Sequence, residues 1–129
     1  MALPLAVAAT ATGLTYGLLL GHRTDYVGHF LAGFGGTLLL LTPPLLVFRR
    51  AMGWSTLLLV SGAIAIGFVM ESTVYRIAIF DPVDFCNQSL GAVVAGSGVA
   101  GRRGSPAATA GAFVLGCACL VLGFVYAFA

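Results

Sequence analysis

Side chains capable of acid–base or ligand-binding chemistry are concentrated in one short segment of an otherwise apolar chain. Three of the four acidic residues, Glu71, Asp81 and Asp84, lie within fourteen residues of each other. The fourth, Asp25, precedes His29 by four residues, which is about one turn of a helix. Carboxylates beside a histidine that titrates near neutral pH are able to move protons. This spacing identifies no nucleophile and no substrate, so an enzymatic activity is an open alternative to simple binding.

The composition of the chain is that of an integral membrane protein. Of the 129 residues, 60% are hydrophobic and only 8% are charged. A typical soluble domain has about a quarter of its residues charged, and those side chains cover its core. The net charge of +2 and the lack of a basic patch interleaved with aromatic residues argue against nucleic acid as a partner. We therefore predict a single transmembrane helical domain that occupies residues 1–129.

Five apolar stretches predict an all-α polytopic bundle of about five transmembrane helices. A helix needs about 20 residues to cross the hydrocarbon core, and lipid offers no partner to unpaired backbone groups. Pro43 and Pro44 fall near the end of the second stretch, and we expect a kinked helix that continues to Arg49. The stretches are Ala2–Leu20, Tyr26–Phe48, Trp54–Tyr75, Phe85–Gly101 and Ala107–Ala129.

The arginines predict the orientation of the bundle. Two pairs, Arg49–Arg50 and Arg102–Arg103, occupy the second and fourth loops, and short loops rich in arginine stay in the cytoplasm. The amino terminus is then inside, the carboxyl terminus is outside, and the first and third loops share the outer face. The first stretch lacks a preceding basic residue and is longer than a usual signal sequence, which favours a retained helix over a cleaved signal peptide.

The start of the fourth stretch carries both a helix-start signal and a polar face. Asp81 followed by Pro82 is typical of an N-cap and first helical position. Asp84, Gln88 and Gly91 then recur at four and three residues, so they share one helical face. A polar face that enters a membrane helix is expected to point at protein, and we expect Asp84 and Gln88 to line a pocket.

Glu71 has two interpretations, because it lies near the outer end of the third stretch. It either belongs to the same pocket, with Arg76 or Arg23 as its partner, or it is solvated at the membrane surface. His22, Asp25 and His29 share a helical spacing that would suit a metal ion. Since a histidine at a helix start is more often a hydrogen-bonding partner, the sequence predicts no metal and no cofactor.

Glycines predict close helix packing. Gly13, Gly17 and Gly21 follow each other at four-residue steps on the first stretch, and Gly91 lies on the fourth. Small residues at this spacing let helix backbones approach closely. The pattern leaves open whether the partner helix belongs to this chain or to another membrane protein.

Two blocks of the chain resemble motifs of the VanZ-like membrane proteins. Asp25-Tyr26-Val27-Gly28-His29-Phe30 resembles the D-K-x-x-H-F signature that opens a helix in that family, with Tyr26 in place of the lysine. Glu71 and the later run Phe80-Asp81-x-x-Asp84-x-x-x-Gln88-x-x-Gly91-Ala92 are similar to a block in which a glutamate ends one span and an Asp…Asn…Gly-Ala run starts the next. Gln88 replaces the family's asparagine, unless Asn87 takes that place in a shifted register. The resemblance covers about residues 25–96.

The resemblance implies an envelope-associated protein of the bacterial cytoplasmic membrane and supplies no reaction. VanZ-like proteins are linked to glycopeptide (teicoplanin) resistance, and their chemistry is not settled. The expected partners are membrane lipids and an envelope lipid, precursor or glycopeptide ligand in an outward-facing polar pocket. An accessory subunit of a larger membrane complex is the alternative, and a transporter is disfavoured because no inverted repeat is visible. The candidate pocket residues are Asp25, His29, Glu71, Arg76, Asp84 and Gln88.

Overall fold

The computed structural model describes residues 2–19, 23–48, 53–73, 80–100 and 104–127, and these form five α-helices. The five apolar stretches each correspond to one of them, so the all-helical prediction is confirmed. Within the described residues three helices, α2, α3 and α5, are long and apolar enough to cross a membrane, and the count of about five spans stays a prediction. The orientation stays a prediction, because both arginine pairs lie outside the described residues. The helices are α1 (Ala2–Leu19), α2 (Thr24–Phe48), α3 (Gly53–Thr73), α4 (Pro82–Val99) and α5 (Pro106–Ala127).

The outer surface of the bundle is apolar, as expected for helices in contact with lipid. Large hydrophobic side chains such as Leu58 and Val114 are 72% and 66% exposed. Helices that are hydrophobic around their whole circumference are typical of membrane spans. This surface is compatible with a membrane protein.

Helix α2 forms the centre of the bundle, and its contacts with α4 and α5 are the most extensive of any helix pair. Its side chains at Phe30, Phe34, Leu38, Leu41 and Leu45 are almost fully buried at steps of three and four residues. They build the core together with residues of α4 and α5. The helix continues through both of its prolines to Phe48. Arg49, where the sequence predicts its end, lies outside the described residues.

Glycines allow α2 and α4 to cross at very short distance. A Cβ atom at Gly33 would overlap the backbone of Gln88, and one at Gly91 would overlap the carbonyl oxygen of Phe30. His29 lies one turn before Gly33, and Gln88 lies on α4 itself. The crossing therefore sets the distance between the polar ends of the two helices.

The α2–α4 crossing predicts a large difference between two glycines of the same helix. Gly33→Ala places a methyl group against rigid backbone and is expected to destabilise the protein by about 1–3 kcal/mol. Gly36→Ala is the control, because nothing lies within 4 Å of a Cβ at that position and alanine favours the helix. The thermal unfolding midpoint of each variant in detergent tests the expectation. Equal midpoints for the two variants would contradict the crossing.

Helix α1 contacts α2, α5 and α4 with a smaller interface than the other helices make. Nothing lies within 4 Å of a Cβ at Gly13 or Gly17, and Gly21 lies outside the described residues. The first two of these glycines therefore face open space, and Gly91 is the predicted packing glycine that contacts another helix of this chain.

Candidate functional site

Three ionisable side chains from three helices meet at one end of the bundle. His29 lies near the start of α2, Glu71 near the end of α3 and Asp84 in the first turn of α4. One possible ligand atom from each residue lies within 4.8 Å of the other two. The Nε2 atom of His29 is 3.5 Å from Oδ2 of Asp84. We call these three residues the His-Glu-Asp cluster.

The cluster is shielded from solvent. Glu71 is only 8% exposed, and the side chains of His29 and Asp84 are 17% and 16% exposed. Within the described residues, Oε2 of Glu71 and Oδ1 of Asp84 are buried and accept no hydrogen bond. Since a buried charge without a partner costs several kcal/mol or more, these two oxygens are available to bind a proton, a cation or a hydrogen-bond donor.

Arg23 and Asp25 form an ion pair at the edge of the site. The Nη2 atom of Arg23 donates to Oδ2 of Asp25 at 2.9 Å, and Nε donates to Oδ1 at 3.2 Å. The guanidinium also lies 3.9 Å from the centre of the Tyr26 ring. The hydrogen bond to Asp25 raises the pKa of Arg23 above its usual value, so the pair stays charged. Arg23 is therefore bound to Asp25, and among the described residues the basic side chain beside Glu71 is His29.

The start of α4 is fixed by Asp81 and by three aromatic rings. Oδ1 of Asp81 accepts a hydrogen bond of 2.8 Å from the backbone N–H of Val83, and Pro82 is the first residue of the helix. Phe68 of α3 packs edge-on against Phe80 and Phe85, with ring centres 5.7 Å from each. Such contacts hold the end of α3 against the start of α4. They thereby place Glu71 beside Asp84.

The cluster lies next to an apolar groove, which we call the α3–α5 groove. Within the described residues α3 and α5 do not contact each other, and α2 forms the floor between them. The groove has a volume of about 330 Å³. His29 and Gln88 line it near the cluster, and Leu40, Ala63 and Leu120 are among the apolar residues that line the rest.

Two polar groups in the groove extend its chemistry beyond the cluster. The side-chain amide of Gln88 packs against Gly67 of α3, where a Cβ would collide with it. Thr37 of α2 is fully buried, and its hydroxyl has no hydrogen-bond partner within the described residues. These side chains provide hydrogen-bonding groups along an otherwise hydrophobic surface.

The six candidate pocket residues have different positions. His29, Glu71 and Asp84 meet in the cluster, and Gln88 lies one turn further along α4 in the groove. Asp25 pairs with Arg23 at the edge, and Arg76 lies outside the described residues, as does His22 of the metal hypothesis. Sequence reasoning missed Thr37 and the aromatic contacts of Phe68. The three phenylalanines flank the acidic residues in sequence, a signal that could have indicated the aromatic contacts.

The cluster could bind a proton, a cation or a polar headgroup, and its carboxylates and imidazole are also suited to acid–base work.

Comparison with protein-family models, with curated proteins and with solved structures found no significant match for this chain.

Proposed function

We propose that the chain is a VanZ-like integral membrane protein that binds an amphiphilic ligand of the bacterial cell envelope. The polar headgroup of this ligand is held at the His-Glu-Asp cluster, and its hydrocarbon part lies in the α3–α5 groove. The observation that carries the proposal is the position of a shielded polar cluster at one end of an apolar groove. The motif resemblance supports a location in the cytoplasmic membrane and a role in glycopeptide resistance.

The shape of the groove favours a chain-like ligand over a compact soluble one. Binding cavities for small molecules have volumes of about 300–1,000 Å³ and are mostly apolar with few polar groups. The α3–α5 groove fits this description, and the α2 residues that line it extend from His29 to Leu40. A headgroup at His29 thus places an attached hydrocarbon chain along the helix axis.

The charges of the cluster restrict the headgroup. Two carboxyl groups face one imidazole, so the cluster offers more hydrogen-bond acceptors than donors. It therefore favours hydrogen-bond donors such as sugar hydroxyls or an ammonium group. A bare phosphate would be repelled unless a cation lay between it and the carboxylates.

Filling the groove is expected to block the ligand. Ala63 lines the groove, whereas Ala65, two residues along the same helix, is exposed on the outer surface. We expect Ala63→Phe to reduce photo-crosslinking of a phospholipid that carries a photoreactive group in its acyl chain by at least about tenfold, which corresponds to roughly 1.4 kcal/mol of binding free energy.

Ala65→Phe is the matched control, because it adds the same ring outside the groove. Mass spectrometry of the crosslinked peptides should locate the wild-type adducts on groove residues such as Leu40 and Met70. Equal labelling of the two variants, or adducts distributed evenly over the outer surface, would contradict the proposed ligand site.

The accessory-subunit function has one observation in its favour. Nothing lies within 4 Å of a Cβ at Gly13 or Gly17 of α1. Glycine faces of this kind pack against other transmembrane helices. Purification in mild detergent separates the two functions. A stable co-purifying protein that is lost on Gly13→Leu supports a subunit, and a lone species that binds lipid supports the pocket.

A further inference from the structure

We infer that the His-Glu-Asp cluster is a binding site for one divalent transition-metal ion, such as Mn²⁺ or Zn²⁺. The ligands are an imidazole nitrogen of His29 and one carboxylate oxygen each from Glu71 and Asp84. The metal site itself is independent of the nature of any lipid in the groove.

The buried oxygens of the cluster are the main observation in favour of a cation site. Glu71 is more than nine-tenths buried, and its Oε2 atom has no hydrogen-bond partner within the described residues. Oδ1 of Asp84 is also buried and has no hydrogen-bond partner within the described residues. One imidazolium could compensate only one of the two carboxylates, and a divalent ion would compensate both.

The surrounding charges do not replace such an ion. Arg23 is the only arginine among the described residues. It interacts with Asp84, but its guanidinium is bound to Asp25. Asp81 also interacts with Glu71 and with Asp84, and it adds negative charge. The described charges around the cluster therefore attract a cation.

The distances suit coordination with small side-chain movements. Nitrogen and carboxylate ligands lie roughly 2.0–2.2 Å from a bound zinc ion, which places tetrahedral ligands roughly 3.4 Å from each other. His29 and Asp84 already have this separation, at 3.5 Å. The largest separation in the cluster is below 4.8 Å, so closure requires a shift of roughly 1 Å at one carboxylate.

The donor set selects the type of ion. Carboxylates suit Mg²⁺ and Mn²⁺, whereas imidazole suits Zn²⁺ and other transition metals, so one histidine with two carboxylates favours Mn²⁺ or Zn²⁺ over Mg²⁺. Three protein ligands leave at least one coordination position open. This last step rests on the proposed function: we assign the open position to a phosphate oxygen of the headgroup. Without the metal ion, the carboxylates would repel this phosphate.

The metal site is tested with the full chain purified in detergent without added lipid. After treatment with a chelator, Mn²⁺, Zn²⁺ and Mg²⁺ are titrated separately by calorimetry. We expect one Mn²⁺ or Zn²⁺ ion per chain, with weaker Mg²⁺ binding. Glu71→Gln and Asp84→Asn are nearly isosteric with the wild type, and each is expected to weaken Mn²⁺ and Zn²⁺ binding at least about tenfold.

Two further variants separate loss of a ligand from loss of the fold. Ser72 is adjacent to Glu71, and its hydroxyl donates to the carbonyl of Phe68 in its own helix, so Ser72→Ala should leave metal binding unchanged. Asp84→Glu keeps a carboxylate and should retain more affinity than Asp84→Asn. The visible absorption of bound Co²⁺ should appear in the wild type and disappear in Glu71→Gln.

The inference is overturned if the wild type binds Mn²⁺ and Zn²⁺ no more tightly than the Glu71→Gln variant does. This outcome is distinct from failure of the proposed function, because the difference in lipid crosslinking between Ala63→Phe and Ala65→Phe reports on the acyl chain in the groove and does not measure metal binding. Metal binding with no groove-specific crosslinking would leave the metal site in place and remove the lipid ligand.

Discussion

Replacement of Asp84 by asparagine is expected to abolish the glycopeptide resistance that we propose for the chain, while the protein still accumulates in the membrane. The substitution preserves the shape of the side chain and removes the charge that lies 3.5 Å from His29. If the cluster binds a headgroup or an ion, this change removes one of its three anchoring groups. The measurement is the teicoplanin concentration that inhibits a susceptible bacterial host, with membrane accumulation determined by immunoblot.

Asp81→Asn provides a matched control for this experiment. It makes the same chemical change three residues earlier, but Asp81 serves as the N-cap of α4, and asparagine is an equally good N-cap. We expect Asp81→Asn to keep the wild-type resistance and Asp84→Asn to fall to the level of the empty vector. Undiminished resistance in Asp84→Asn would exclude the cluster from this function.

The second large effect concerns stability, and its sign is opposite to that of most substitutions in a protein interior. Glu71→Gln is expected to stabilise the metal-free protein by about 1–3 kcal/mol, because it removes a buried charge whose oxygen lacks a hydrogen-bond partner. It also removes repulsion between the carboxylates of Glu71 and Asp84. The thermal unfolding midpoint in detergent with chelator is the measurement.

Addition of Mn²⁺ or Zn²⁺ should make the wild type more stable than the Glu71→Gln variant. An ion that binds only the folded wild type raises its midpoint by mass action, and the Glu71→Gln variant should gain little. Ser72→Ala should follow the wild type under both conditions. A Glu71→Gln midpoint at or below the wild-type value in chelator would show that Glu71 is a structural residue whose charge is already compensated.

The helices could be predicted from the sequence because each apolar stretch specifies its own backbone hydrogen bonding. The start of α4 could also be predicted, since Asp81 and Pro82 are adjacent residues that suit the N-cap and the first helical position. The partner of Arg23 was not predicted, although it is local too. Asp25 lies only two residues from Arg23 in the sequence, so its carboxylate binds the guanidinium in preference to a residue of α3.

The cluster itself could be predicted only in part. The sequence placed His29, Glu71 and Asp84 on helix ends that share one side of the bundle, but their meeting depends on how closely α2 and α4 approach. That distance is set by the contacts of Gly33 and Gly91 with opposing backbones. The groove depends on a gap between α3 and α5, and a gap between two helices leaves no periodic signal in either of them.

The gap between α3 and α5 has a consequence for how a ligand would arrive. An opening in the flank of the bundle admits molecules that diffuse within a leaflet, so occupancy depends on their mole fraction among the surrounding lipids. Water-soluble headgroup analogues would then compete poorly, because they lack the chain that partitions into the bilayer. Dilution of the protein in buffer at constant lipid composition should leave occupancy unchanged.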